Sequence, residues 1–408
     1  MHTQALDAAA GQGKDAGKSR AKATYGLAFV LASLCVSNDE LRKETLRERD
    51  VSPEEYEQLQ RIQQLQQPGP DADGGGATAA TQDEADPPER VQGRIKELVK
   101  ADGVRALAQL ARLPGAGART QEQVGMALAA VATLEECRGL MVQQGAYNAC
   151  LELGKEDRGL PDGVRARALH AVAKVLVTTN PSVLSDRQRA AAVPNLLWLC
   201  RWAKATNLQQ FEALMALTNL AAADEGCLEA VAAHKGVPCF QALQYSEHPL
   251  VRRAATEAMC NLACHPKALQ HLGDPEKLKI WLALAEAYEG EGGDGGGDLP
   301  TARAAAGALA MASGDEGVTR ALATAGAGRV WAALLRSGNP ELVHRAAIVV
   351  RNMARFSEPR ARLQEDEALG TALSRLLKGG GAASLSPLPA PVLSALQEAQ
   401  RGLGSRMD

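Results

Sequence analysis

The residue types best suited to chemistry in this chain gather at Cys260, Cys264, His265 and His271. A structural zinc site needs two ligand pairs at tetrahedral spacing. Cys260 and Cys264 instead fall on a predicted helix that must also bury Met259 and Leu262, and no other stretch supplies a second pair. No metal is expected. The acidic run GDGGGD lacks the alternating oxygen ligands and closing glutamate of a calcium loop. Glu54 and Glu55 follow Ser52-Pro53, where capping and the helix dipole account for them without catalysis. No phosphate-binding glycine loop, dinucleotide fingerprint, His-Glu-x-x-His pair or Cys-x-x-Cys is present. The chain is read as having no catalytic residues and no cofactor, hence as not an enzyme.

A second set of polar residues is more ordered. Asn219, Asn261 and Asn352 each end a long apolar helix, and Met311 takes that place in the helix between the last two. An amide both donates and accepts, so a row of them suits the backbone of an extended peptide. The competing reading ties each helix to its neighbour through an internal bond. Arg253, Glu257, Phe211 and Met215 lie on the same helices and complete the candidate binding set, although Arg253 and Glu257 are also spaced to pair with each other at i, i+4.

These residues recur because the chain repeats. FEALMALTNLA and LVRRAATEAMCNLA end alike, 42 residues apart. A small or turn residue followed by an apolar run recurs at Gly103, Gly145, Val193, Gly236, Pro275, Gly326 and Leu369, at intervals of 39 to 51 residues. The longest interval holds the glycine-rich acidic insertion at 289–298. A period of roughly 40–47 residues marks stacked armadillo or HEAT helices. The expected fold is an all-α, armadillo-like right-handed superhelical solenoid of seven to eight repeats: seven from Val91 onward and a partial one near Tyr25. Within it, Phe211, Leu214, Met215, Leu217 and Leu220 are expected to form one core with Ala255, Met259 and Leu262. Such stacks serve binding far more than chemistry.

Composition agrees. The chain is 46% hydrophobic and 3% aromatic, and it is rich in alanine, the best helix former. A net charge of −3 argues against nucleic acid as principal partner. The longest apolar run near the start, YGLAFVLASLCV, is too short to span a bilayer. Eight scattered cysteines without an export signal read as reduced core residues, and the expected compartment is cytoplasmic. Residues 1–20 read as a disordered tail. Residues 21–67 read as a partial first repeat and a charged helix with a narrow stripe of Tyr56, Leu59, Ile62 and Leu65. Residues 68–88 read as a flexible linker, and 89–408 as the armadillo-repeat domain.

NLQQFEALMALTNLA followed by HPLVRRAATEAMCNLACHP closely resembles the central signature of the UCS family of myosin-directed chaperones. LRKETLRERDVSPEEYEQLQR and KATYGLAFVLASL look like the start of that domain, so the likeness spans residues 21 to 403. The resemblance implies a co-chaperone that holds the myosin heavy chain motor domain in a concave groove and cooperates with heat-shock protein 90. Nothing before Tyr25 offers the tetratricopeptide repeats that dock that partner in animal members, as expected of a short form or a truncated gene model. The alternatives are a generic armadillo scaffold for an extended peptide of another cytosolic protein, or a nuclear-import adaptor. Against the adaptor, Met215, Glu257 and Ile348 stand where its tryptophans are expected.

Overall fold

The computed structural model describes residues 21–37, 86–288, 297–378 and 389–404, and among them every regular element is helical. The tail at 1–20, the charged stretch at 38–67, most of the linker and most of the acidic insertion lie outside the described residues.

The chain divides into two compact units, Met1–Thr179 and Asn180–Asp408. The first holds α1 (residues 21–35), α2 (Pro88–Lys100), α3 (Gly103–Arg112), α4 (Ala118–Thr133), α5 (Glu135–Gln143), α6 (Ala146–Leu153) and α7 (Asp162–Thr178). From α2 onward these helices fall into two triplets, in which α3 packs on α6 and α4 on α7. Helix α1 carries an apolar face of its own and buries Ala28, Ala32 and Cys35. Arg94 of α2 joins it there, donating Nε to the Leu34 carbonyl at 3.0 Å and both Nη groups to Asp86 at 2.8 and 2.6 Å. That bidentate bond holds the Asp86 carboxyl below its ordinary range. The sequence places Pro88 in the linker, but it opens α2, because a proline at the first turn gives up no helical hydrogen bond.

The second unit holds α8 (Asp186–Arg201), α9 (Asn207–Ala223), α10 (Glu225–Ala233), α11 (Gly236–Gln244), α12 (Pro249–Leu262), α13 (Pro266–Leu272) and α14 (Pro275–Glu286). It continues with α15 (Leu299–Ala312), α16 (Glu316–Thr324), α17 (Gly328–Arg336), α18 (Pro340–Met353), α19 (Ser357–Gln364), α20 (Glu367–Leu377) and α21 (Ala390–Leu403). These are five armadillo-like repeats, the first without its short leading helix. With the two triplets of the first unit they make the seven repeats that the spacing predicts.

Capping residues set the helix starts. Ser185 and Thr206 each close a reciprocal capping box, with Gln188 and Gln209. Asp224, Asp274, Asp298, Asp315, Asn339 and Asp366 cap six of the later helices through their side chains. The turn between the short helix and the next one uses a left-handed residue, Gly145 in one repeat and Lys235 in another. At Gly236 a Cβ would come within 2.6 Å of the Val231 carbonyl oxygen, so the closeness of the turn itself requires glycine there. An arginine from the preceding repeat secures each of these turns. Arg112 Nη2 donates to the Gly145 carbonyl at 2.6 Å, and Arg201 Nη2 to the His234 and Lys235 carbonyls at 2.6 and 2.8 Å.

One predicted break is misplaced. Val193 lies inside α8, which runs from its Ser185 cap through Pro194 without ending. A proline inside a helix removes one backbone bond and usually breaks or kinks it. Here α8 nevertheless buries Ala192, Val193, Leu196, Leu197, Leu199 and Cys200, and that apolar face outweighs the local penalty.

The core of the second unit follows the third helices of the repeats. Helix α9 packs on α12, α12 on α15, α15 on α18 and α18 on α21. Leu214, Leu217 and Leu220 are fully buried, as are Ala255, Met259 and Leu262 on the facing helix. Fully burying each such leucine contributes about 1.5–3 kcal/mol. Phe211 and Met215, expected in the same core, are only half-buried. They share a helix stripe with Asn219 at i, i+4 and i+8, one face away from the leucines.

Candidate interaction face

The third helices place their partly exposed residues in register. Asn219, Asn261, Met311 and Asn352 occupy one position of α9, α12, α15 and α18. Four residues earlier stand Met215, Glu257, Gly307 and Ile348, and eight earlier Phe211, Arg253, Arg303 and His344. All seven predicted site residues belong to this ladder.

The asparagines do not behave as a set. Asn352 is 8% exposed; its Nδ2 donates to Ser313 Oγ at 2.9 Å, and its Oδ1 accepts from Arg351 Nη2 at 3.2 Å. Its amide ties α18 to the end of α15 and is closed to a ligand. Asn261 is half-buried and donates Nδ2 to the Thr218 carbonyl at 3.0 Å, joining α12 to α9. Asn219 is half-buried on α9. For Asn261 and Asn352 the internal-bond reading therefore describes the observed contacts. Met311, at the same register, is half exposed and presents a flexible thioether instead.

The charged members pair with one another. Arg253 Nε donates to Glu257 Oε1 at 2.8 Å along α12, the pairing that their spacing suggests. Arg303 of α15 bonds Glu341 of α18, and Arg345 donates to the Arg303 carbonyl while standing 3.7 Å from Glu341. Arg351 reaches Glu398 of α21 at 3.3 Å. Sequence reasoning missed this cross-helix lattice, because partners some 40 residues apart meet only when the repeats stack.

The cysteine–histidine cluster does not assemble. His265 Nε2 lies 3.1 Å from Glu229, and its Nδ1 accepts from the Lys267 amide. The His271 ring is buried, and burial pushes its pKa below the ordinary histidine range. Cys264 is exposed and Cys260 half-buried, with the Cys260 thiol facing the Ala304 carbonyl at 3.6 Å. Among the described residues no group of three or more His, Cys, Asp or Glu could hold a metal ion, and no helix is long and apolar enough to cross a membrane.

A half-exposed aromatic pair also escaped the sequence reading. Trp198 and Trp202 stack at the end of α8 with ring centroids 5.8 Å apart. The other two tryptophans, Trp281 of α14 and Trp331 of α17, are fully buried.

No protein-family model matches the chain. Protein unc-45 homolog B of Danio rerio is 30% identical over 270 residues, 64% of this chain and 27% of that protein. UNC-45 from Drosophila melanogaster superposes with a TM-score of 0.67 at 26% identity, over 77% of this chain and 38% of its own. The myosin chaperone UNC-45 from C. elegans, solved in complex with an Hsp90 peptide, superposes with a TM-score of 0.63 at 21% identity, over 78% of this chain and 33% of its own, and supports the fold alone. The chain spans about a quarter of the length of the curated relatives it matches. The armadillo-like repeats and the central signature thus converge, and the chain is similar to the unc-45-type proteins, the UCS likeness read from its sequence.

Proposed function

We propose that this chain is a myosin-directed co-chaperone which holds a segment of the myosin motor domain against the third-helix face of its second unit. The observation that carries the reading is the α9 stripe. Phe211 and Met215 stand half-open beside Asn219, with Ile348 and Met311 further along the same register, between arginines and glutamates already paired with one another. Exposed apolar groups rimmed by satisfied polar ones suit a client surface that has not yet found its own core. The likeness to unc-45-type proteins supports myosin as that client. The holding is ATP-independent, since no phosphate cradle is visible in the sequence. Partnership with heat-shock protein 90 rests on the relatives, and the cytosol is where such a client would be met.

The test is suppression of heat-induced aggregation of purified myosin motor domain, read by light scattering, together with pull-down of myosin heavy chain from cytosol. Replacing Phe211, Met215 and Ile348 together by alanine is expected to weaken binding by roughly tenfold or more, about 1.4 kcal/mol or above. A variant that stays folded and protects myosin as well as the parent does would refute the α9 face. A parent chain that neither binds nor protects myosin would refute the client.

A further inference from the structure

The turns that join second to third helices in the first two repeats of the second unit are built alike. Trp202 closes α8 and Tyr245 closes α11. Leu208 and Leu250 then stand second in α9 and α12, 42 residues apart and at one register position of the third helices. Tyr245 is 61% exposed, Leu208 53% and Leu250 47%. Trp202 is half-buried, its ring stacked on Trp198 with centroids 5.8 Å apart. Helix α9 packs on α12, and α8 on α11. The two turns therefore lie on neighbouring rungs, about 8–10 Å apart, and form one apolar ledge.

The charges around the ledge are one-sided. Lys204 is exposed in the first turn, between Trp202 and Leu208 in the chain. Arg201 Nη2 donates to the His234 and Lys235 carbonyls at 2.6 and 2.8 Å, and Arg252 Nη1 to the Ser246 carbonyl at 2.9 Å. A carbonyl fixes a guanidinium in place without cancelling its charge. Among the described residues no carboxylate pairs with any of these three cations. Glu247 is the one acid on the two turns. A chain of net charge −3 thus gathers a local surplus of positive charge beside open apolar side chains.

We propose that this ledge docks an extended acidic segment of a partner protein that carries an apolar side chain at every third residue. A chain of like charges repels itself into an extended form. In the polyproline II conformation every third side chain returns to one side, about 9 Å further on, which matches the spacing of the rungs. One apolar residue then seats on Trp202 and Leu208 and the next on Tyr245 and Leu250, while the acids between them face Arg201, Lys204 and Arg252. Positive charge beside aromatic rings also occurs in sites for single-stranded nucleic acid. Two of the four anchors here are leucines, however, which give a base no ring to stack on. Leu208 stands one turn before Phe211, so the ledge adjoins the proposed client face, but it does not depend on which protein the client is.

The experiment titrates the purified full chain into a fluorescein-labelled peptide of four Glu-Glu-Leu repeats and reads the anisotropy. Peptides of Lys-Lys-Leu and Ser-Ser-Leu repeats and an oligothymidylate of the same length run alongside. The acidic peptide is expected to bind at least about tenfold more tightly than either other peptide, and to weaken as salt rises. Tyr245→Ala combined with Leu250→Ala should weaken it about tenfold, and Lys204→Glu, on an exposed side chain, about fivefold. If the double variant fails to fold, Lys204→Glu decides. Equal binding of the three peptides would overturn the proposal, as would acidic-peptide affinity that neither variant changes. Tighter binding of the oligothymidylate would overturn it in favour of nucleic acid. No myosin enters this assay, so its failure leaves the third-helix client reading standing, and failure of the myosin assay leaves the ledge.

Discussion

Helix α9 and the α15–α18–α21 stack present the same register positions with different chemistry. On α9 they carry Phe211, Met215 and Asn219, none of them charged and all half-buried. On α18 they carry His344, Ile348 and Asn352, set in a lattice where Arg303, Glu341 and Arg345 bind across helices and Arg351 reaches Glu398. Asn352 is buried in that lattice, whereas Met311 one helix away is half exposed. Equivalence in the repeat thus tells where a side chain stands, and its neighbours decide whether it remains open to a partner. The stack beyond α15 is largely satisfied by itself, which leaves α9 as the more open rung.

That contrast is broken most severely from underneath. Leu214→Asp should cost 4 kcal/mol or more, on the order expected for an unpaired charge in the core, because Leu214 is fully buried where α9 meets α12. Denaturant unfolding measures it, and a midpoint that does not move would show the α9 register to be wrong. The next effect separates the two kinds of rung position. Asn352→Ala should cost about 1–3 kcal/mol by removing the Ser313 and Arg351 contacts. Met311→Ala, at the same register but half exposed, should change stability by no more than about 0.5 kcal/mol. Equal costs for the two would erase the distinction between closed and open rungs.

The charged lattice contributes less. A double-mutant cycle on Arg351 and Glu398 should return about 0.2–1 kcal/mol, because both side chains are over a third exposed, and the coupling should shrink in high salt. A salt-independent coupling of several kcal/mol would show that the lattice, rather than the leucines, holds α18 to α21.

Much of this was legible in the sequence because repeats write their period into it. The 42-residue echo of Asn219-Leu220-Ala221 at Asn261-Leu262-Ala263 locates two third helices. Glycine at 145 and 236 marks turns that need a left-handed residue or a close backbone. The misplaced break at Val193 shows the limit of that signal. Proline is an ambiguous punctuator, and only the apolar face of α8 decided that the helix runs through it. The surroundings of the cysteine–histidine cluster were equally hidden, since His265 has a partner 36 residues away at Glu229 that no local spacing discloses.

By itself the sequence determined the all-helical class, the count of seven repeats and the family likeness. All three rest on periodicity and residue type, which can be read along the chain without knowing which side chains meet. Only the tertiary structure decided which polar residues are available. Whether Asn352 grips a ligand or a helix, and whether Phe211 is core or surface, depend on side chains brought together from successive repeats. Stacking joins residues some 40 positions apart, and a hydrogen bond or a buried contact is settled by a few ångströms that repeat spacing does not specify.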